Sequence, residues 1–286
     1  MNFGQNHDTI VSMMKKVVLY ANPGRDVGLV CAKAVQQKLL DFGLAAPLLV
    51  TGSDCEQLAQ SADLLICFGG DGTILHLARI AAPFGIPILT VNLGRRGFMA
   101  ELAPDDTDKI AAIALAETHS IQTRMMLDAS VYRQDEPVYD GFALNDVVVT
   151  GATRLVELAV FADRQCVTRF LGDGIIAATP TGSTAYSMSA GGPIIEPTAQ
   201  NIIITPICAH ALMAHSFVLT PERRVSIKID LAGEKDGYLS VDGGSFALAH
   251  GDEITIKKSR HVTRLIKATE QTFYQTLNEK LGVNTP

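Results

Sequence analysis

The chain has 286 residues, 47% hydrophobic and 19% charged, with a formal net charge of −6. That is apolar material for one large or two ordinary cores, and the acidic balance offers no positive field for nucleic acid or an anionic membrane surface. Five scattered cysteines (Cys31, Cys55, Cys67, Cys166, Cys208) form no C-x-x-C pair; the pattern disfavours structural zinc and reads as reduced thiols, most of them in apolar stretches. No signal-peptide segment opens the chain and no apolar run reaches the ~18 residues of a membrane span, so the expectation is a soluble, cytoplasmic protein.

The first 120 residues alternate strand and helix signals. Lys16–Ala21 is a short apolar strand. Val27–Phe42 follows as a helix, with Asp26 as its N-cap and Gly43 just past its end. Pro47–Thr51 is a second strand, Asp54–Ser61 a short helix and Asp63–Phe68 a third strand. A helix from near Thr73, a strand over Ile88–Asn92 and a helix from about Pro104 to Glu117 complete this half. Apolar strands separated by helices predict a parallel sheet covered on both faces, Rossmann-like in architecture.

From about Gln122 the rhythm changes to short strands and tight turns: Met125–Gln134, Phe142–Thr150, Leu155–Asp163, Gly174–Thr179, Ile202–Ile207, Val225–Leu231, Tyr238–Val241 and Asp252–Lys257. That spacing predicts an all-β, antiparallel, sandwich-like domain. A final amphipathic helix spans Glu270–Leu281. The expected division is an α/β domain over 1–121 and a β-rich domain over 122–267, with residues 268–286 packing back on the first.

Two segments carry chemistry. Gly69-Gly70-Asp71-Gly72-Thr73 directly follows a buried strand and directly precedes a helix. In an open α/β sheet that is where ligands bind. The glycines let backbone approach a ligand closely, and free N–H groups at the helix start face an anion such as phosphate. A carboxylate in such a loop repels phosphate unless it holds a divalent cation or takes a proton from an attacking hydroxyl, so Asp71 is the informative residue. Its bland alternative is a turn whose Asp merely caps the helix. Neither G-x-x-x-x-G-K-[ST] nor a G-x-G-x-x-G after a strand occurs, which disfavours a P-loop enzyme and a dehydrogenase. The second segment, GDGIIAATPTGSTAYSMSAGGP at 172–193, joins a Gly-Asp-Gly, a strand, a hydroxyl-rich turn and a short helix. Ser183 is not in a nucleophile elbow.

Together with Leu144-Asn145-Asp146, VNLGRRGFMAEL at 91–102 and SVDGG at 240–244, these segments closely resemble the NAD kinase family over roughly Lys16 to Lys267. The resemblance implies transfer of the ATP γ-phosphoryl group to the adenosine-ribose 2′-hydroxyl of NAD, giving NADP. It implies Asp71 as proton acceptor, with Gly69, Gly70 and Thr73 in the phosphate loop and Gly72 beside the bound NAD. Asn145 and Asp146 match hydrogen-bonding partners of the dinucleotide, and Asp173 matches a carboxylate near the nicotinamide ribose. Thr184, Ala185, Tyr186 and Ser189 match the segment lining the dinucleotide pocket; His76 and Arg154 stand where relatives often contact ligand. Arg95 and Arg96 are placed to neutralise triphosphate, Arg96 replacing a usual leucine. Mg²⁺ or another divalent cation is implied, with ATP or polyphosphate as donor, and a homodimer or homotetramer as the assembly. Residues 206–216 and Gly244, which replaces a glutamine, depart from the family pattern. A lipid kinase sharing GGDGT and a non-catalytic NAD(P) sensor are the alternatives.

Overall fold

A computed structural model describes residues 15–52, 61–94, 97–152, 154–210, 215–231 and 236–282. The helix expected at Asp54–Ser61 and the pair Arg95-Arg96 lie outside the described residues, apart from Ser61.

The first half builds a parallel ladder from β1 (Val17–Ala21), β2 (Leu48–Val50), β3 (Leu64–Gly69) and β4 (Pro87–Asn92), in the order β2-β1-β3-β4. Side chains alternate across the sheet, so an apolar strand must be covered twice. Val17, Leu19, Leu64, Ile66 and Phe68 pack under α1 (Val30–Asp41) and α3 (Thr107–Leu115). Val18, Tyr20, Leu65 and Cys67 pack under α2 (Asp71–Ala81) on the other face. Asp26 caps α1 from a distance: a 3₁₀ turn over Val27–Leu29 intervenes, and its carboxylate accepts from the N–H groups of Cys31 (3.1 Å) and Ala32 (2.9 Å).

The second half is antiparallel. β5 (Ile121–Arg133), β6 (Glu136–Ala143), β8 (Val156–Ala162), β9 (Gln165–Gly172), β13 (Val225–Asp230) and β16 (Glu253–Ile266) form one layer. β7 (Asp146–Gly151), β10 (Gly174–Ala178), β11 (Ile202–Ile207), β12 (Phe217–Leu219), β14 (Gly237–Val241) and β15 (Gly244–Leu248) form the other, in the order β12-β11-β10-β7-β14-β15. The layers meet over an apolar core that includes Leu158, Val160, Ile227 and Ile254 from one and Val147, Val149, Ile175, Ile204 and Leu239 from the other. α4 (Tyr186–Ser189) is a single turn after β10, and α5 (Phe273–Leu281) closes the described chain.

Three differences from the expected elements have physical reasons. The long β16 returns to pair with β4 in parallel, Arg264 opposite Pro87 and Leu265 opposite Ile88, so the parallel ladder continues into the antiparallel layer as a ten-stranded sheet. The polar run Lys257–His261 hides this from a hydrophobicity scan, and the pairing with β5 shifts register between Lys258 and Val262. The single strand expected over Phe142–Thr150 is broken at Leu144-Asn145, because a carboxylate takes the backbone N–H groups there. Strand β9 shows little alternation and, like β12, β15 and most of β6, has no counterpart among the expected elements. Cys31 and Cys67 are buried as small core residues, whereas Cys166 and Cys208 are exposed.

Candidate active site

Helix α2 starts at Asp71, two residues earlier than its sequence suggests, with Gly70 as N-cap. The N–H groups of Thr73 and Ile74 turn back to the Gly70 carbonyl at 2.9 and 3.1 Å. A Cβ on Gly69 would lie 2.4 Å from Thr73 Oγ1, so the strand-to-helix turn closes only with glycine there. Around Gly70 and Gly72 a Cβ would meet nothing within 4 Å. Their bare backbone faces open space, as a loop that receives phosphate requires.

Asp71 is held from the neighbouring loop. Its Oδ2 accepts from Phe98 N–H at 2.9 Å and its Oδ1 from Met99 N–H at 3.4 Å. Gly97 makes this approach possible: a Cβ there would fall 1.9 Å from Asp71 Oδ1. A carboxylate accepts about four hydrogen bonds, so two lone-pair directions remain for a ligand. The space beside them is a cleft of about 580 Å³. Gly70, Asp71, Gly72 and Thr73 form one wall, Asn22 and Arg25 from the loop after β1 another, and Lys280 of α5 a third. Asn22 Nδ2 donates to Thr73 Oγ1 at 3.2 Å, tying the ends of two adjacent parallel strands together. A second cavity, about 450 Å³, lies against Phe98, Glu101 and Arg124; part of the 91–102 motif lines it, but none of the individual residues to which the sequence assigned a binding or catalytic role does.

On the other flank of α2 stands the turn between β6 and β7. Leu144 shares an apolar cluster with Ile74, Leu77 and Met99. Asp242 accepts from the backbone N–H groups of Leu144 (2.6 Å), Asn145 (2.9 Å) and Asp146 (3.1 Å), which breaks the strand. From the opposite side Thr179 donates its N–H to the Asn145 carbonyl (2.9 Å) and its hydroxyl to that of Leu144 (2.6 Å). A Cβ on Gly182 would sit 2.1 Å from the Asn145 carbonyl oxygen. The turn is therefore clamped. Yet Asn145 Oδ1 and Thr181 Oγ1 are buried without a hydrogen-bond partner. Orphaned polar atoms of this kind fit the donors and acceptors of a bound molecule. Burial, with Asp242 next, pushes the Asp146 carboxyl up to about 7. Burial also raises Asp242, opposed by its three backbone donors and by Arg79.

Thr184 is buried, donating to the Thr181 carbonyl at 3.2 Å, while Tyr186 and Ser189 are exposed and Ala185 is half-buried between them. Ser183 and Ser187 serve the fold, bonding Pro180, Ile195 and Thr205. His76 is exposed one turn beyond Asp71, its ring stacked on Tyr20 with centroids 5.9 Å apart; it does not line the cleft.

Two candidates are not gathered with the rest. Asp173 precedes β10, whose far end pairs Ala178 with Asp146, so about 17 Å of strand separates the two carboxylates at ~3.4 Å per residue. Arg154 is exposed at the same distal end, where its carbonyl crowds Gly151. The Asp173 carboxylate also raises the pKa of the Cys208 thiol, within the departing segment 206–216.

Residues 17–118 match the sequence profile of the ATP-NAD kinase N-terminal domain, and residues 144–268 that of the ATP-NAD kinase C-terminal domain. The chain belongs to the NAD kinase family. An NAD kinase of Caldanaerobacter subterraneus subsp. tengcongensis is 41% identical over 283 residues, 94% of this chain and 99% of that protein. The crystal structure of yeast NADH kinase complexed with NADH superposes with a TM-score of 0.79 at 27% identity, covering 96% of this chain and 90% of that one. An NAD kinase from Archaeoglobus fulgidus in complex with ATP shares the fold, with a TM-score of 0.74 at 24% identity over 94% and 100% of the two chains. Around this candidate site of the NAD kinase fold, Asn22, Arg25 and Lys280 were unmarked in the sequence, and Gly97, Thr181 and Asp242 stood there only inside longer motifs. Asn22 and Arg25 carried a readable signal, since they follow a buried parallel strand as the glycine loop does.

Proposed function

We propose that this chain phosphorylates NAD at the adenosine-ribose 2′-hydroxyl, with ATP as donor and polyphosphate as the alternative donor. The observation that carries the reading is Asp71: a carboxylate at a helix start, fixed by two backbone N–H groups, beside an open cleft walled by bare glycine backbone. In the step, the bond between the γ-phosphorus and its bridging oxygen breaks as one forms to the ribose 2′-oxygen. The hydroxyl proton passes to Asp71, and ADP leaves with the broken bond's electron pair. Such a transition state is loose, so positioning and charge compensation do most of the work.

Asn145, Asp146, Gly72 and the stretch Thr184, Ala185, Tyr186 and Ser189 bind the dinucleotide; the unpartnered Asn145 Oδ1 supports an N–H donor of the ligand there. Gly69, Gly70 and Thr73 shape the phosphate loop. A divalent cation, Mg²⁺ or Mn²⁺, would neutralise the donor's phosphates, with Asp71 the carboxylate of the cleft wall able to hold it directly or through water. Among the described residues no three His, Cys, Asp or Glu gather as a dedicated metal site. Self-association as a homodimer or homotetramer gives distal Asp173 and Arg154 a dinucleotide to contact in a second copy, with His76 a peripheral contact. The α/β and β-rich halves, 1–121 and 122–267, act as the donor and NAD lobes. The location we infer is cytoplasmic; among the described residues no helix is long and apolar enough to cross a membrane.

Purified protein with ATP, Mg²⁺ and NAD should form NADP, and Asp71→Asn should lower kcat by about 10²–10⁴-fold with an unchanged melting temperature. A fully active Asp71→Asn enzyme would remove Asp71 from the mechanism.

A further inference from the structure

The Asp71 cleft has an electrostatic deficit on its helical side. A helix N-terminus presents roughly half a positive charge, and Asp71 more than cancels it. A polyphosphate tail brings several negative charges into the same space, so compensation must come from elsewhere. Among the described residues two cations line the cleft: Arg25, whose Nη1 would lie 3.7 Å from a Cβ on Gly94, and Lys280.

Lys280 is delivered by an element whose presence the core does not explain, since α5 contains no fully buried residue. It is nonetheless anchored at several points. Glu101 accepts from Lys267 Nζ (2.9 Å) and from the N–H groups of Ala268 (2.8 Å) and Thr269 (3.0 Å), fixing the lead-in to the helix. A reciprocal capping box joins Thr272 and Gln275. Phe273 packs on Phe98 with ring centroids 6.4 Å apart, and Lys280 Nζ lies 4.0 Å from the Phe98 centroid. Phe98 thus holds both partners of the cleft, Asp71 through its N–H and Lys280 through its ring face. Cation–π contact keeps an ammonium oriented while part of its hydration is stripped. Burial pulls Lys280 below the usual lysine range, and the Asp71 charge opposes that.

We propose that Lys280 and Arg25 form a two-point clamp on the polyphosphate tail of the phosphoryl donor, so that the last helix completes the donor site. The inference rests on the NAD-kinase reading and adds to it which side chains hold the donor. The clamp reads phosphates and not the base. Inorganic tripolyphosphate therefore competes with ATP, and removing one cation weakens both alike.

The test compares wild type with Lys280→Met and Lys280→Arg. Lys280→Met should raise KM for MgATP and the Ki of tripolyphosphate by the same factor, about 10- to 100-fold for a lost charge-assisted contact. KM for NAD should stay within about twofold and the melting temperature should hold, while Lys280→Arg restores most of the donor affinity. An unchanged donor KM in a folded Lys280→Met enzyme overturns the clamp. So does a fall in kcat alone, which would make Lys280 only a counter-ion for Asp71, or a parallel rise in KM for NAD. If the wild type forms no NADP at all, the kinase reading fails by itself. The clamp is then judged by calorimetry with tripolyphosphate, where equal binding to wild type and Lys280→Met sinks it.

Discussion

The glycine loop at Gly69–Thr73 and the turn at Leu144–Asp146 flank the same helix and are built in opposite ways. The loop is local. Its strand, glycines and helix start are consecutive, and most of its geometry follows from what glycine permits and where a buried strand must end. The turn is long-range: three of its N–H groups are taken by Asp242, nearly a hundred residues away, and its carbonyls by Thr179. A local device can be recognised from five residues, whereas a long-range one is visible only as residues of the right chemistry without a reason for their position. The loop nonetheless borrows long-range contacts, from Asn22 to Thr73 and from the Gly97–Met99 segment to Asp71, and the close approach at Gly97 is open to experiment.

After Asp71→Asn, the largest effect on turnover should come from Gly97→Ala. The added methyl group cannot coexist with the present Asp71 carboxylate, and a shift of about 1 Å in a reacting group costs roughly 100-fold in kcat. Steady-state kinetics should show that loss with little change in KM for NAD; an enzyme of wild-type kcat would mean Asp71 need not sit where it does.

Next is Asp242→Ala, which leaves three N–H groups of the turn without their acceptor. About 3–5 kcal/mol of stability should be lost, a fall in melting temperature of about 10 °C in calorimetry, together with weaker NAD binding. A loss of stability with NAD affinity intact would show that the turn is structural and not part of the dinucleotide site.

The last effect is one of pH. Asp146 has its folded pKa raised from 3.8 to about 7. The native state therefore binds the extra proton between those values, and this contribution to stability is present at low pH and lost as pH rises through about 7. Urea unfolding of wild type and Asp146→Asn across pH 4–8 should show the wild type losing stability relative to the variant as pH rises. Parallel curves would place the titration elsewhere.

Periodicity and turn chemistry made β1, β3, β4, β11 and the change of rhythm after Gln122 legible, because buried parallel strands are continuous apolar runs and short antiparallel strands end at glycine-rich turns. The polar half of β16 and the flat pattern of β9 were not legible, because their partners and not their own side chains hold them in the sheet. In the site, Asp71 and its glycines could be singled out from residue type and placement alone, and Asn145-Asp146 only through resemblance to a family.

By itself, the sequence determined a glycine-rich strand-to-helix turn with one acid in it, followed by a β-rich half. Those features depend on neighbours in the chain. Tertiary structure decided that Gly97 gives Asp71 its seat, that Asp242 breaks a strand to present Asn145, and that the last helix brings Lys280 to the same cleft. Each joins residues far apart in the chain, and the energy of such a contact exists only once the intervening segments have packed.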